Sequence, residues 1–171
     1  MAQLTEKQIK RQDFVDNEIF ELIQRLAPSA KIDWDIEMIA DGGNKFKDKW
    51  GTPDVIGKNE SGRSDIIKHE TEIISAEIKI DDSGLITAFG QACAYKSFSH
   101  KVYIVIPKSA SEEDKSRIES LSLIFGLGLI FFDATNKENP QFEIRVRPIE
   151  YEPDNFYVNK YMKLIESDLF S

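Results

Sequence analysis

The chain of 171 residues has one cysteine, Cys93, and two histidines, His69 and His100. A single thiol excludes a disulfide scaffold and suits a reducing, cytoplasmic setting. Neither histidine has a Cys or His partner at ligand spacing, so no zinc site is expected, and both read as surface residues. Long apolar runs are also missing. Among the longest uncharged stretches is Ser120 to Phe132, which is interrupted by Gly126 and Gly128. It falls short of the roughly 18 apolar residues that a bilayer span requires. Met1 to Arg11 is polar and lacks the apolar core of a signal peptide. The expectation is a protein that is neither secreted nor inserted in a membrane. Base is scarcer than acid: 22 Lys and Arg stand against 30 Asp and Glu, for a net charge of −8.

Apolar residues are plentiful. They make up 41% of the chain, with 11 Phe, 5 Tyr and 2 Trp, which excludes intrinsic disorder. The length predicts a single domain over residues 1–171 with a core that needs no staple. Val15, Ile19, Leu22, Ile23 and Leu26 recur at helical spacing, predicting a helix over 6–27 that ends at Pro28. Residues 31–40 alternate loosely and read as a strand, closed by the turn signal Asp41-Gly42-Gly43-Asn44. A second strand begins near Asp54, Lys58 to Arg63 is a polar hairpin tip, and a third strand covers 72–80. Helices are expected over 85–97 and 111–125, the latter capped by Ser111 and ended by Gly126. Short apolar strands at 102–106 and 127–132 follow these helices, as crossovers onto a mixed sheet would require. Residues 142–146 read as an edge strand and 155–168 as a final helix. Cys93 reads as a small buried residue. The terminal Phe156, Tyr157, Tyr161 and Phe170 read most simply as core, with a homodimer contact as the sharper alternative.

An acidic chain is a poor match for nucleic acid, but charge distribution decides more than its sum. Lys45, Lys47 and Lys49 cluster before Asp54, and Lys96, Lys101 and Lys108 form a stretch with no acid. Both groups are candidate phosphate contacts, with solvated loops as the plainer alternative.

The segment Glu77-Ile78-Lys79 carries the chemistry. Side chains alternate along a strand, so Ile74, Ala76, Ile78 and Ile80 share one face while Glu77 and Lys79 share the other. Buried charges are costly unless they pair or serve a site. Asp54 opens the neighbouring strand after Pro53, where its carboxylate can reach Glu77. Two converging carboxylates make a hard oxygen site suited to Mg²⁺, and the ammonium beside them can orient an attacking water. Such parts perform metal-assisted phosphodiester hydrolysis. The plainer alternative is a surface ion pair on an edge strand.

Pro53-Asp54 followed by Glu77-Ile78-Lys79 resembles the motif of the PD-(D/E)XK nucleases, the restriction-endonuclease-like superfamily. The pieces fall on successive expected strands, and the αβββαβ order is that of the family core. Gln91-Ala92-Cys93-Ala94-Tyr95 matches the Gln-x-x-x-Tyr signature of the RecB-like branch, with Gln91 and Tyr95 on one side of the helix. That branch often has an upstream His, and none precedes Asp54 here. The resemblance spans about Glu18 to Phe132.

The resemblance implies an α/β domain with a restriction-endonuclease-like core, a mixed central sheet flanked by helices. It implies a Mg²⁺- or Mn²⁺-dependent endonuclease that hydrolyses DNA phosphodiester bonds and leaves 5′-phosphates. Asp54 and Glu77 would hold the metal, and Lys79 would activate the water. Gln91 and Tyr95 would support the substrate or that water. The family often adds an acid from the first helix. Glu18 lies at the margin of the apolar stripe and Glu21 opposite it, which favours Glu18 as the auxiliary ligand. RNA is an alternative substrate, since no reader of the 2′-hydroxyl can be recognised. A catalytically silent binding or assembly module is the other alternative, and the net charge of −8 supports it. No separate target-recognition domain is seen, so structure-directed or partner-guided cleavage, within a homodimer or a larger nuclease complex, is expected over sequence-specific cutting.

Overall fold

The computed structural model describes residues 38–41, 45–79, 83–133, 135 and 141–170. Six strands lie in one sheet in chain order: β1 (Met38–Asp41), β2 (Val55–Asn59), β3 (Glu72–Ile78), β4 (Lys101–Pro107), β5 (Gly128–Phe132) and β6 (Glu143–Val146). The first three form an antiparallel meander, β3, β4 and β5 run parallel, and β6 returns antiparallel at the edge. Helix α1 (Leu85–Tyr95) carries the chain from β3 to β4, and α2 (Glu112–Phe125) from β4 to β5. These are the crossovers that parallel neighbours need. After β6 come α3 (Asn155–Met162), a 3₁₀ turn (Lys163–Ile165) and α4 (Glu166–Leu169). The fold is therefore α/β with a mixed sheet, as the sequence pattern predicts.

Alternation along the strands divides the core in two. Ile56, Ile73, Val102, Ile104, Leu129 and Phe131 pack with Leu85, Ala92 and Tyr95 of α1, Ile118 of α2, and the C-terminal Tyr161, Met162, Ile165 and Leu169. Val55, Ile74, Ala76, Ile78, Tyr103, Val105, Ile130 and Phe132 form the other cluster, with Phe142 and Ile144 against it. Strands β4 and β5 are buried on both sides, which explains their nearly continuous apolar sequence. Gly128 is fixed by packing: a Cβ there would lie 2.3 Å from the Tyr103 ring. Glu77 has the parity of Ile73, so it emerges on the face that carries α1.

The helix ends follow the sequence signals. Ser111 Oγ accepts the Asp114 N–H at 3.1 Å, and Gly126 ends α2 at φ 69° with its N–H on Ser122 O. Asp154 caps α3 by accepting the Phe156 N–H at 2.9 Å. Among the described residues, no helix is long and apolar enough to cross a membrane.

Several expectations change. Strand β3 ends at Ile78 rather than at 80, although Lys79 N–H still donates to Val105 O at 2.8 Å. The final helix is broken by a 3₁₀ turn, and the turn still keeps Ile165 on the buried side. Of the four C-terminal aromatics only Tyr161 is core; Phe156, Tyr157 and Phe170 lie on the exposed side. His100 is structural rather than a free surface residue: its Nδ1 accepts the Ile73 N–H at 2.9 Å while its own N–H donates to Ile73 O. The expected helix over 6–27, including Glu18 and Glu21, lies outside the described residues.

Candidate active site

The start of β2, the end of β3 and the last turn of α1 converge under the turn that precedes Pro53. Along β2 and β3 the register pairs Val55 with Ala76. Extending it by one residue sets Asp54 across from Glu77, where facing side chains share a side of the sheet. Asp54 is braced by the backbone, since its Oδ2 accepts the Ile78 N–H at 2.7 Å. That bond ties the first residue of the motif to the strand that carries the second.

Glu77 is 5% exposed. Tyr95, itself buried, donates its hydroxyl to Glu77 Oε2 at 2.8 Å and also lies 3.2 Å from Thr52 O. The Glu77 carboxyl is pushed up to about 8, first by burial and then by the negative charge of Asp54. The Tyr95 hydrogen bond and the charge of Lys79 pull the other way without prevailing. Tyr95 is itself driven far above its ordinary range by burial and then by Glu77. Its phenol therefore stays protonated and remains a donor.

The turn over this group is specified by Asp48 and Gly51. Gly51 N–H donates to Asp48 O at 3.0 Å, and Trp50 N–H to Asp48 Oδ1 at 3.1 Å. Gly51 sits at φ +82°, a region that favours glycine. A Cβ there would lie 3.5 Å from Gln91 Nε2 and 3.6 Å from the Tyr95 hydroxyl. Gln91 and Tyr95, one helical turn apart, thus both reach the loop that leads into Asp54. The other Asp48 oxygen accepts the Tyr161 hydroxyl at 2.7 Å, joining the turn to α3. That bond, followed by the one from Trp50, holds the Asp48 carboxyl below its ordinary value.

Asp54, Glu77, Lys79, Gln91 and Tyr95 are therefore brought together. The lysine groups fare differently. Lys45 pairs with Asp168 at 2.7 Å, Lys47 adopts φ 47°, and Lys49 Nζ lies 5.8 Å from the centre of the Trp50 ring. This run feeds directly into Gly51. Lys96 donates to Phe125 O at 2.6 Å and lies over the Tyr151 ring. Lys101 pairs with Glu72 at 3.4 Å and stands in register with Ile74, three residues before Glu77, so it is turned away from the site. Lys108 follows the end of β4 and its N–H donates to Phe132 O.

Among the described residues no group of three or more His, Cys, Asp and Glu is arranged around a common point. Asp54 and Glu77 supply two oxygen donors whose charges oppose one another. Such a pair suits a hard divalent cation, which relieves that repulsion and takes its remaining ligands from water and substrate. Sequence reasoning missed Asp48, Gly51 and Thr52. The Asp-x-x-Gly spacing of a tight turn over 48–51 is the signal that points to the first two.

No protein-family model matches the chain, and no curated protein matches it. A solved structure, the SPO1766 protein of unknown function from Silicibacter pomeroyi, is similar to it with a TM-score of 0.48 and 15% sequence identity, over 75% of this chain and 71% of that one.

Proposed function

We propose that the chain is a divalent-metal-dependent nuclease of the restriction-endonuclease-like type that hydrolyses DNA phosphodiester bonds. The observation that carries the reading is Glu77: a carboxyl that is 5% exposed, facing a second carboxylate and tied to Tyr95. A buried acid whose ionisation is opposed by its neighbour is expensive for the fold, and such groups concentrate at sites of function.

Asp54 and Glu77 would hold Mg²⁺ or Mn²⁺, which when bound offsets the charge developing on the scissile phosphate. The chain's own groups do the rest. The Ile78 N–H fixes Asp54, and Tyr95 fixes Glu77, so that both carboxylates are oriented before substrate arrives. Lys79 brings a positive charge to the same corner, where it orients the attacking water and balances the phosphate. Gln91 lies against the Gly51 turn and supports the strand near the reacting phosphate. Water attacks phosphorus, the bond to the 3′-oxygen breaks, and the products carry a 5′-phosphate and a 3′-hydroxyl.

A catalytically silent module is the second reading. The net charge of −8 and the engagement of Lys45 and Lys101 with acids favour it. The two readings part in one experiment: incubation of single-stranded and duplex DNA, and of RNA, with the purified chain and Mg²⁺, beside Glu77→Gln. Cleavage that disappears in the variant supports the nuclease. Binding with no cleavage supports the silent module.

A further inference from the structure

Beside the carboxylate pair lies an aromatic recess of about 350 Å³. Trp50, Tyr95, Phe98, Tyr157, Tyr161 and Cys93 line it. The volume is at the small end of ligand sites, which span roughly 300–1,000 Å³. Its floor is rigid. Tyr161 packs against Phe46 at 4.6 Å and Phe98 at 4.9 Å between ring centres, and its hydroxyl is held by Asp48. Its rim is open: Trp50 is 63% exposed and Tyr157 38%.

Two further observations point to what fits. Lys49 Nζ stands 5.8 Å from the Trp50 ring, and Lys160 Nζ stands 5.9 Å from Tyr157 and 5.3 Å from Tyr161. An acidic chain thus places two cations against aromatic side chains that line the recess. The Tyr95 ring forms part of the wall, while its hydroxyl holds Glu77. A ring seated in the recess would lie one tyrosine away from the carboxylates.

We propose that the recess takes one unpaired nucleobase of the strand being cut, stacked on Trp50 and Tyr157, with Lys49 and Lys160 on the flanking phosphates. The substrate is then single-stranded or locally unpaired DNA, because a paired base has both faces and its hydrogen-bonding edge occupied in the duplex. Stacking on aromatic side chains is tolerant of sequence, since every base presents a π-face. This inference rests on the nuclease reading for the position of the scissile phosphate.

The test uses the full chain in Ca²⁺, in a Trp34→Phe background that leaves Trp50 as the sole tryptophan. A short single-stranded oligonucleotide should quench Trp50 emission, and a blunt duplex of the same sequence should not. Trp50→Leu and Tyr157→Ala should each weaken single-strand binding, measured by anisotropy of a labelled strand, by about 5- to 150-fold, the range for losing one base–aromatic stack. An oligonucleotide with a single abasic position, scanned along the strand, should lose affinity at one register without any change to the protein. Equal binding of intact and abasic strands at every register, or equal quenching by duplex and single strand, would overturn the proposal. If Mg²⁺-dependent cleavage of DNA persists at the wild-type rate in Trp50→Leu, the recess fails and the nuclease stands. If strand-selective quenching appears but no DNA is cleaved, the recess stands and the nuclease fails.

Discussion

The Tyr95 hydroxyl donates to Glu77 Oε2 at 2.8 Å, and so couples the last turn of α1 to the buried carboxyl near the end of β3. Tyr95 is 1% exposed and Glu77 5%, so neither partner is well placed to exchange this bond for water. The bond favours the ionised carboxyl. Burial and Asp54 disfavour it more strongly, and the acid remains largely protonated at neutral pH without a cation.

Metal binding should therefore release a proton. With Glu77 at about 8, Mg²⁺ affinity should rise between pH 6 and about 8 and level off above it. Calorimetry in buffers of different ionisation enthalpy reads the proton count directly. Affinity independent of pH across that window would contradict the assignment of Glu77.

Stability should move the other way. An unfolded Glu77 titrates near 4.5 and the folded one near 8, so between these values the folded state holds more protons. In the metal-free protein this contribution is fully present below about pH 4.5 and is lost as pH rises to about 8. Glu77→Gln should flatten that fall and raise the melting temperature above pH 8. A variant with the wild-type pH profile would show that Glu77 carries no such cost.

Tyr95→Phe should shift the pH dependence of Mg²⁺ binding upward, because it removes a bond that lowers the Glu77 carboxyl. The ring stays in the core, so the loss of stability should be about 1 kcal/mol, the worth of one hydrogen bond. Denaturant unfolding and metal titration of the same variant check both parts. A downward shift would contradict the role given to the hydroxyl.

Gly51→Ala should cost about 1 kcal/mol or more, because φ +82° strains any residue with a Cβ. It should also lower cleavage, since the Gly51 turn leads into Asp54. Thermal unfolding and single-turnover cleavage measure these effects. Full stability with full activity would show that the turn tolerates a side chain.

Much of this arrangement was legible in the sequence. The strand pattern and the caps at Ser111 and Gly126 are local, and Glu77 and Lys79 stand out because charges interrupt an apolar strand. What escaped depends on distant partners. The bond from Tyr161 to Asp48 spans 113 positions and the Lys45–Asp168 pair 123, and no periodicity encodes either. Lys101 resembles a phosphate contact in a basic stretch; Glu72, at the start of the adjacent strand, engages it instead. The C-terminal aromatics misled because Phe156 and Tyr157 lie on the exposed side of α3, and Phe170, beyond α4, is exposed as well. Only Tyr161 shares a face with Met162, Ile165 and Leu169.

The central claim is tested most directly by the cleavage rate of labelled DNA in Mg²⁺, compared among the wild-type chain, Glu77→Gln and Lys79→Ala, with folding verified by circular dichroism. The account predicts Mg²⁺-dependent cleavage by the wild type, abolished by chelation, and a fall of about 10²-fold or more in each variant. Wild-type rates in both variants, or no cleavage of any DNA by the folded wild-type chain with Mg²⁺ or Mn²⁺, would contradict it.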